Sequence, residues 1–220
     1  MDAASNEREK RDTLITDRGL ARSGLRVHGV NPALLVEKIL RERVQDGHYW
    51  HLKACNLQFY ELLTECSTEV TVVGTYLNVA KTKVTKFLSL LFRLLQLPEI
   101  IDANVVKWII IGDHGFKYLT VLFMLYARLV WEDGVLLWKV LEEKLADYRK
   151  IRVVENGAVS LSHVDELAEQ LLDSDKNTFF GLSLPRLVKR WVLEENGDLE
   201  DRESEMLDVF EEQLEDEEEE

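Results

Sequence analysis

The run YLTVLFMLYARLVW, Tyr118 to Trp131, is apolar on nearly every side and limits what the chain can fold into more than any other stretch. A helix that is apolar all round has to be enclosed, either by other elements or by lipid. Arg128 interrupts the run, and its length falls short of the roughly 20 residues that a bilayer core requires. It is therefore expected to be the central helix of a soluble core, with no membrane span. A chain of 220 residues, 46% of them hydrophobic, is long enough to surround such a helix in one core.

The segments around it carry helical spacing. After Asn31-Pro32, Val36, Leu40 and Val44 recur at i, i+4, i+8, with Leu35 and Ile39 widening the stripe and Gly47 closing it. Asn31 can accept a hydrogen bond from a first-turn N–H, and Pro32 at the first helical position gives up no needed donor. Pro98 and Pro185 stand in the same way before EIIDANVVKWIII and RLVKRWVLEE, so no proline interrupts a helical pattern. FYELLTEC, KVTKFLSLLFRLLQL and VLLWKVLEEKLADYRKI follow suit, and Gly112 and Gly134 fall in the breaks. The exception is IRVVENGAVSLS, where Asn156-Gly157 separates two β-branched runs and both residues tolerate the positive φ of a tight turn. The expected fold class is mainly α: a single globular domain of about seven to nine helices with one small β-hairpin.

Charge divides the chain. Residues 193–220 hold sixteen Asp and Glu against one Arg, so of the formal charge of −14 almost nothing belongs to residues 1–192. Residues 1–27 mix both signs with few apolar side chains and are expected to be a flexible N-terminal arm. Residues 28–192 form the helical domain, and 193–220 an acidic tail. Within the tail, Met206, Leu207, Phe210 and Leu214 fall at i, i+1, i+4, i+8, a narrow stripe suited to a short amphipathic helix. That pattern fits a solubilising tail, and it fits a partner-docking helix. Two cysteines, Cys55 and Cys66, are too few to staple a chain of this size, which together with the absence of a signal-like segment leads us to expect a reducing, intracellular setting.

The most chemical-looking cluster is VSLSHVDEL. His163, Asp165 and Glu166 lie close enough for acid/base or metal work, and His163 and Glu166 could share a helix face. No second histidine or cysteine follows nearby, however. Ser162 followed three residues later by Asp165, just before Leu167, Leu171 and Leu172, has the spacing of a reciprocal helix cap. Ser162 and Asp165 are therefore read as structural, like Asn31, Pro32, Asn156 and Gly157. His48, His51 and Cys55 in HYWHLKAC match no common zinc framework. Phosphate-binding and nucleophile-elbow glycine motifs are absent. No catalytic, cofactor-binding or metal residues are expected. A metal-dependent hydrolase at His163, Asp165 and Glu166 is the remote alternative. A nearer one is direct binding of RNA through the basic groups Lys81/Lys83/Lys86, Arg149/Lys150/Arg152 and Arg186/Lys189/Arg190. A body of nearly zero net charge lacks the field of an autonomous nucleic-acid binder, and these groups also read as solvated faces.

Taken in order, VHGVNPALLVEKILRERV, Tyr49-Trp50, FKYLTVLFMLYARL, LADYRKIR, the Asn-Gly turn, SHVDELAEQLL and LPRLVKRWVLEE resemble the pre-mRNA-processing factor thirty-eight family over residues 27 to 200. The matching positions include His28, Gly29, Asn31 and Pro32; Phe116, Lys117, Tyr118, Tyr126 and Arg128; Asp147 to Lys150; His163 to Glu166; and Pro185 to Leu187, most of them architectural by type. VVGTYLNVAKTKV keeps Gly74 and Tyr76 of the family's glycine-rich stretch but replaces its other glycines. The resemblance implies a nuclear, non-enzymatic protein of the tri-snRNP or precatalytic spliceosome, needed for its activation and monomeric outside the complex. It implies two protein partners: a small zinc-finger splicing protein, and a microfibril-associated-protein-like splicing factor that lays a helix on the domain. Recruitment functions that depend on the Arg/Ser-rich extension of many members are not implied. Candidate partner-binding residues are Trp50, Trp108, Tyr126, Arg149, Lys150, Arg186, Met206 and Phe210, because aromatics and arginines carry most interface energy. Trp138, within VLLWKVL, is assigned to the core.

Overall fold

The computed structural model describes Leu20 and residues 26–78, 83–97, 99–155 and 157–200. Most of the N-terminal arm, Lys81, Pro98, Asn156, and the tail from residue 201 with Met206 and Phe210 lie outside the described residues. Nine α-helices occur among those described: α1 (Lys38–Gln45), α2 (His48–Leu52), α3 (Phe59–Glu69), α4 (Lys86–Leu95), α5 (Ala103–Ile111), α6 (Lys117–Val130), α7 (Gly134–Glu142), α8 (Val164–Leu172) and α9 (Arg190–Glu195). The mainly α fold class is thus as expected.

The apolar run became α6, and every residue from Leu119 to Val130 is buried. Helices α3, α4, α5, α7 and α8 all pack against it. Each large aliphatic or aromatic side chain so enclosed contributes about 1.5–3 kcal/mol of burial free energy, which makes α6 the energetic centre of the domain. Arg128 is the polar group in this environment: its Nε donates to the Leu171 carbonyl at 2.9 Å, tying α6 to the last turn of α8, where carbonyls lack helical partners. Burial lowers its pKa. Among the described residues, no helix is long and apolar enough to cross a membrane.

The chain meets α6 through a tight turn in which Val27 and Val30 bond each other and His28 and Gly29 take φ of 50° and 76°. The His28 ring nitrogen lies 3.1 Å from the Leu129 carbonyl, and the His28 backbone N–H donates to Glu132. Asn31 then accepts from Ala33 N at 3.1 Å with Pro32 at the first helical position. The helix that follows is not continuous, as the apolar spacing suggested. Pro32–Leu35 is one 3₁₀ turn, Val36 and Glu37 are extended, and α1 starts afresh at Lys38. Val36, Leu40 and Val44 are buried, whereas Ile39, a 100° step from Leu40, is 65% exposed. Gly47 opens α2 as its N-cap rather than only closing α1.

The expected hairpin is β3 (Lys150–Glu155) paired antiparallel with β4 (Ala158–His163), with Gly157 at φ 80° in its turn. Two smaller ones accompany it: β1 (Tyr76–Asn78) with β2 (Lys83–Val84), and β5 (Thr178–Phe179) with β6 (Leu182–Ser183). Strands of two residues are too short to show alternation, and the β5–β6 turn takes its two positive φ values from Phe180 and Gly181 instead of an Asn-Gly pair. Gly74 is where a close approach requires glycine: with φ 132°, a Cβ there would sit 2.4 Å from the Val154 carbonyl oxygen. Its carbonyl accepts from Thr85 Oγ1, the same hydroxyl that caps α4 through Leu88 N.

The helix expected from Pro185 begins later. Leu184 N–H bonds the Asn177 carbonyl and extends the path of β6, so residues 184–189 stay non-helical. The described residues from Val188 on belong to a second compact unit. Within it α9 ends at a glycine cap, with Gly197 at φ 77° and Asp198 N bonded to the Leu193 carbonyl. The expected boundary at 192/193 therefore falls inside a helix.

Candidate protein-docking surface

Helix α5 starts at Asp102, whose carboxylate accepts from Asn104 N at 2.7 Å. Val106, Ile109 and Ile110 are buried against the core, while Val105 and Trp108 face out, Trp108 being 70% exposed. Gly112 ends the helix, and the chain doubles back so that a His114 ring nitrogen reaches the Ile109 carbonyl at 2.6 Å. His114 then stands between two exposed aromatics, its ring centroid 6.5 Å from Trp108 and 6.0 Å from Phe116. The result is an open aromatic row at the corner where α5 turns into α6.

That corner is held by ionic bonds. The Arg149 Nη1 donates to the His114 carbonyl at 2.8 Å, and its Nε and Nη2 grip both oxygens of Asp147. Lys144 lies 3.8 Å from the same carboxylate. Burial pushes the Asp147 carboxyl upward, but the Arg149 hydrogen bonds outweigh it and hold the group below the usual aspartate range; the same bonds raise Arg149. Beside this knot lies a cleft of about 570 Å³ lined by residues that include Ile111, Gly112, Glu143, Lys144 and Tyr148. Tyr148 is 72% exposed at its edge. Rigid aromatics beside an apolar and charged cleft form the kind of surface that anchors a partner segment.

The sequence-derived candidates divide on this geometry. Trp108 is exposed, as are Lys150 and Arg186. Trp50 and Tyr126 cannot anchor a partner. The Trp50 ring is buried 5.2 Å from that of Phe92, and Tyr126 is buried with its hydroxyl accepting from Ile101 N. Burial pushes that hydroxyl up to about 12. Arg149 serves the corner. Trp138 is in the core. His114 went unread because its place follows from the backbone reversal after Gly112, and Phe116 and Tyr148, read as architectural, are exposed.

The cap at SHVDEL is displaced by one residue from the expected Ser162/Asp165 pair. His163 is the N-cap of α8 and Glu166 the returning carboxylate, bonded to His163 N and to the Ser162 hydroxyl. Ser162 still pairs along β4 with Ile151, so the helix starts one residue later. Asp165 instead donates its N–H to the Asp147 carbonyl. Among the described residues, no group of three or more His, Cys, Asp or Glu side chains is placed to share a metal ion. One further polar site is buried, where Glu65 takes Lys53 Nζ at 2.5 Å and the Tyr49 hydroxyl at 2.9 Å. Desolvation and Glu65 together raise the Tyr49 pKa.

The PRP38 family model matches residues 25–197. The chain belongs to the PRP38 family. Pre-mRNA-splicing factor 38 of Arabidopsis thaliana is 38% identical over 84% of this chain and 50% of its own length. Pre-mRNA-splicing factor 38A of Homo sapiens is 38% identical over 80% of this chain and 54% of its own. The chain thus spans about half the length of the curated relatives it matches. Its fold matches a chain in the crystal structure of the Snu23-Prp38-MFAP1(217-258) complex of Chaetomium thermophilum with TM-score 0.73 and 30% identity, covering 85% of this chain and 95% of that one. Membership in the PRP38 family accounts for the ordered series of motifs, and it places the aromatic corner on a fold already seen in a multi-protein complex.

Proposed function

We propose that this PRP38-family chain is a non-enzymatic docking component of the spliceosome, acting in the nucleus during activation of the tri-snRNP or precatalytic complex. The observation that carries the reading is the aromatic row Trp108–His114–Phe116, displayed on a corner that Asp147 and Arg149 hold rigid, in a fold shared with a chain crystallised among splicing proteins. The partners it fits are counterparts of Snu23 and of the MFAP1 segment, the zinc-finger and microfibril-associated-protein-like factors expected from the family. In this mechanism a partner helix seats apolar side chains against Trp108 and Phe116, and the exposed carboxylate of Glu143 and the Tyr148 hydroxyl at the rim of the cleft set its register. No step of bond making is assigned to the chain.

The test uses the purified full chain with Chaetomium thermophilum Snu23 and the MFAP1 fragment as probes in isothermal titration. Binding of at least one, weakened about tenfold or more by Trp108→Ala, is the expected result. Failure of the unmodified chain to bind either, or stoichiometric metal with hydrolytic activity lost on changing His163 and Glu166, would overturn the reading.

A further inference from the structure

The second face of interest lies on the β3–β4 hairpin and has nothing to do with helix docking. Backbone direction alternates along a strand, so the partners of β3 show which way β4 faces. Val73 N donates to the Arg152 carbonyl and Val154 N donates to the Val73 carbonyl, at 2.9 and 2.8 Å. Arg152 and Val154 therefore point away from β4, and Ile151, Val153 and Glu155 point toward it. Their register partners Ser162, Ser160 and Ala158 complete the ladder. Val159 and Leu161, the residues in between, direct their N–H and C=O groups to the opposite side, where no described residue pairs with them.

This open edge is not blunted in the usual ways. Proteins protect such edges with proline, with charged side chains on the strand, or by covering them. Here both outward residues carry aliphatic side chains, each 62% exposed. By register they share one face of the hairpin with Val154, which is buried, and with Arg152, Lys150 and His163. Lys117 adds a further cation at the outer edge of β3, its Nζ donating to the Lys150 carbonyl, which points away from β4. Of the acidic groups on the hairpin and at its exit, Glu155 lies by alternation on the other face, and the Glu166 carboxylate is occupied by Ser162 and His163. The face is therefore apolar at its centre with cations along one side.

We propose that the free edge of β4 is a strand-addition site for an extended segment of another protein, one with aliphatic side chains at alternate positions and carboxylates flanking them. Main-chain bonds to Val159 and Leu161 supply the pairing, their side chains meet the alternating aliphatics, and Arg152 and Lys150 select the acidic flanks. RNA fits less well, since the two side chains at the open edge, Val159 and Leu161, are aliphatic and offer no ring on which a base could stack.

The probe is a short fluorescein-labelled peptide that alternates valine with threonine and ends in glutamates, titrated into the full chain. Binding should weaken about tenfold or more in Leu161→Pro, which removes an edge donor but no β3 ladder bond, and should also weaken in Arg152→Glu. A probe-side control makes the result independent of how Leu161→Pro folds. N-methylating one alternate set of peptide amides should abolish binding, while methylating the other set leaves it intact, because only one set faces β4. Equal effects of the two sets would overturn the proposal, as would full competition by polyglutamate or oligouridylate. A dimer in sedimentation velocity that Leu161→Pro dissociates would also overturn it, by assigning the edge to a second copy. The Trp108→Ala variant should bind this peptide normally, so failure here is distinguishable from failure of the helix-docking reading.

Discussion

Helices α5 and α6 are neighbours of similar apolar content that use their side chains in opposite ways. Every residue of α6 from Leu119 to Val130 is enclosed, whereas α5 buries Val106, Ile109 and Ile110 and leaves Val105 and Trp108 in solvent. The difference follows from what surrounds each. Five helices pack around α6, so its apolar residues do the work of stability. On α5, Trp108 stays mostly in solvent, and its ring contact among the described residues is with His114, 6.5 Å away between centroids. An exposed large apolar group on an otherwise well-packed helix is informative because burial elsewhere shows that the fold could have used it.

The largest expected effect comes from the enclosed helix. Phe123 is fully buried and stacks edge-on with Phe59 and tilted against Tyr126, so Phe123→Ala should cost about 3–5 kcal/mol in urea unfolding. A loss below about 1 kcal/mol would mean that α6 is not the centre of the core.

A smaller effect is expected where the two helices are joined. Arg149, gripped by Asp147, holds the His114 carbonyl in the turn between the two helices, and the Asp147 carboxyl is held below its ordinary value of 3.8. A depressed carboxylate contributes stability that is complete above that ordinary value and disappears as pH falls through the lower, folded-state value. Stability should therefore drop in this acid window, and Asp147→Asn should cost about 1 kcal/mol at neutral pH, solvent screening allowed for, and make the acid drop shallower. Identical acid profiles for the two proteins would show that the corner is held by packing instead.

Much of this architecture was legible in the residues. Period and enclosure gave α6, Asn31-Pro32 gave the opening cap, and the Asn-Gly pair gave the β3–β4 hairpin, because each depends on local chemistry. The misreadings share a cause. Whether Trp50 or Trp108 faces out depends on which helices arrive beside them, and the polar surroundings of Trp50 in HYWHL and the apolar ones of Trp108 in VKWII point the wrong way for both. The cap at SHVDEL moved by one residue because β4 keeps Ser162 in its ladder, a tertiary demand that local spacing does not contain. Likewise the non-helical stretch after Pro185 follows from the Leu184–Asn177 bond. Exposed Val159 and Leu161 are a subtler case: their alternation was visible, but the edge of the hairpin left open is decided by Val73, which covers the other edge, on β3, from far away in sequence.

The smallest expected effect is the most discriminating. If Trp108 is displayed for a partner and not for the fold, Trp108→Ala should leave unfolding free energy within about 0.5 kcal/mol of the unmodified chain, since exposed substitutions away from caps and networks change little. Its nearest ring, His114, keeps its bonds to Ile109 and Arg149 in the variant, so the corner has no reason to relax. Urea unfolding with matched slopes measures this directly. A cost of 2 kcal/mol or more would place Trp108 with Phe123 as a structural residue, erase the contrast between the two helices, and remove the aromatic row as the basis for docking. A neutral result combined with lost partner affinity separates stability from recognition at one side chain.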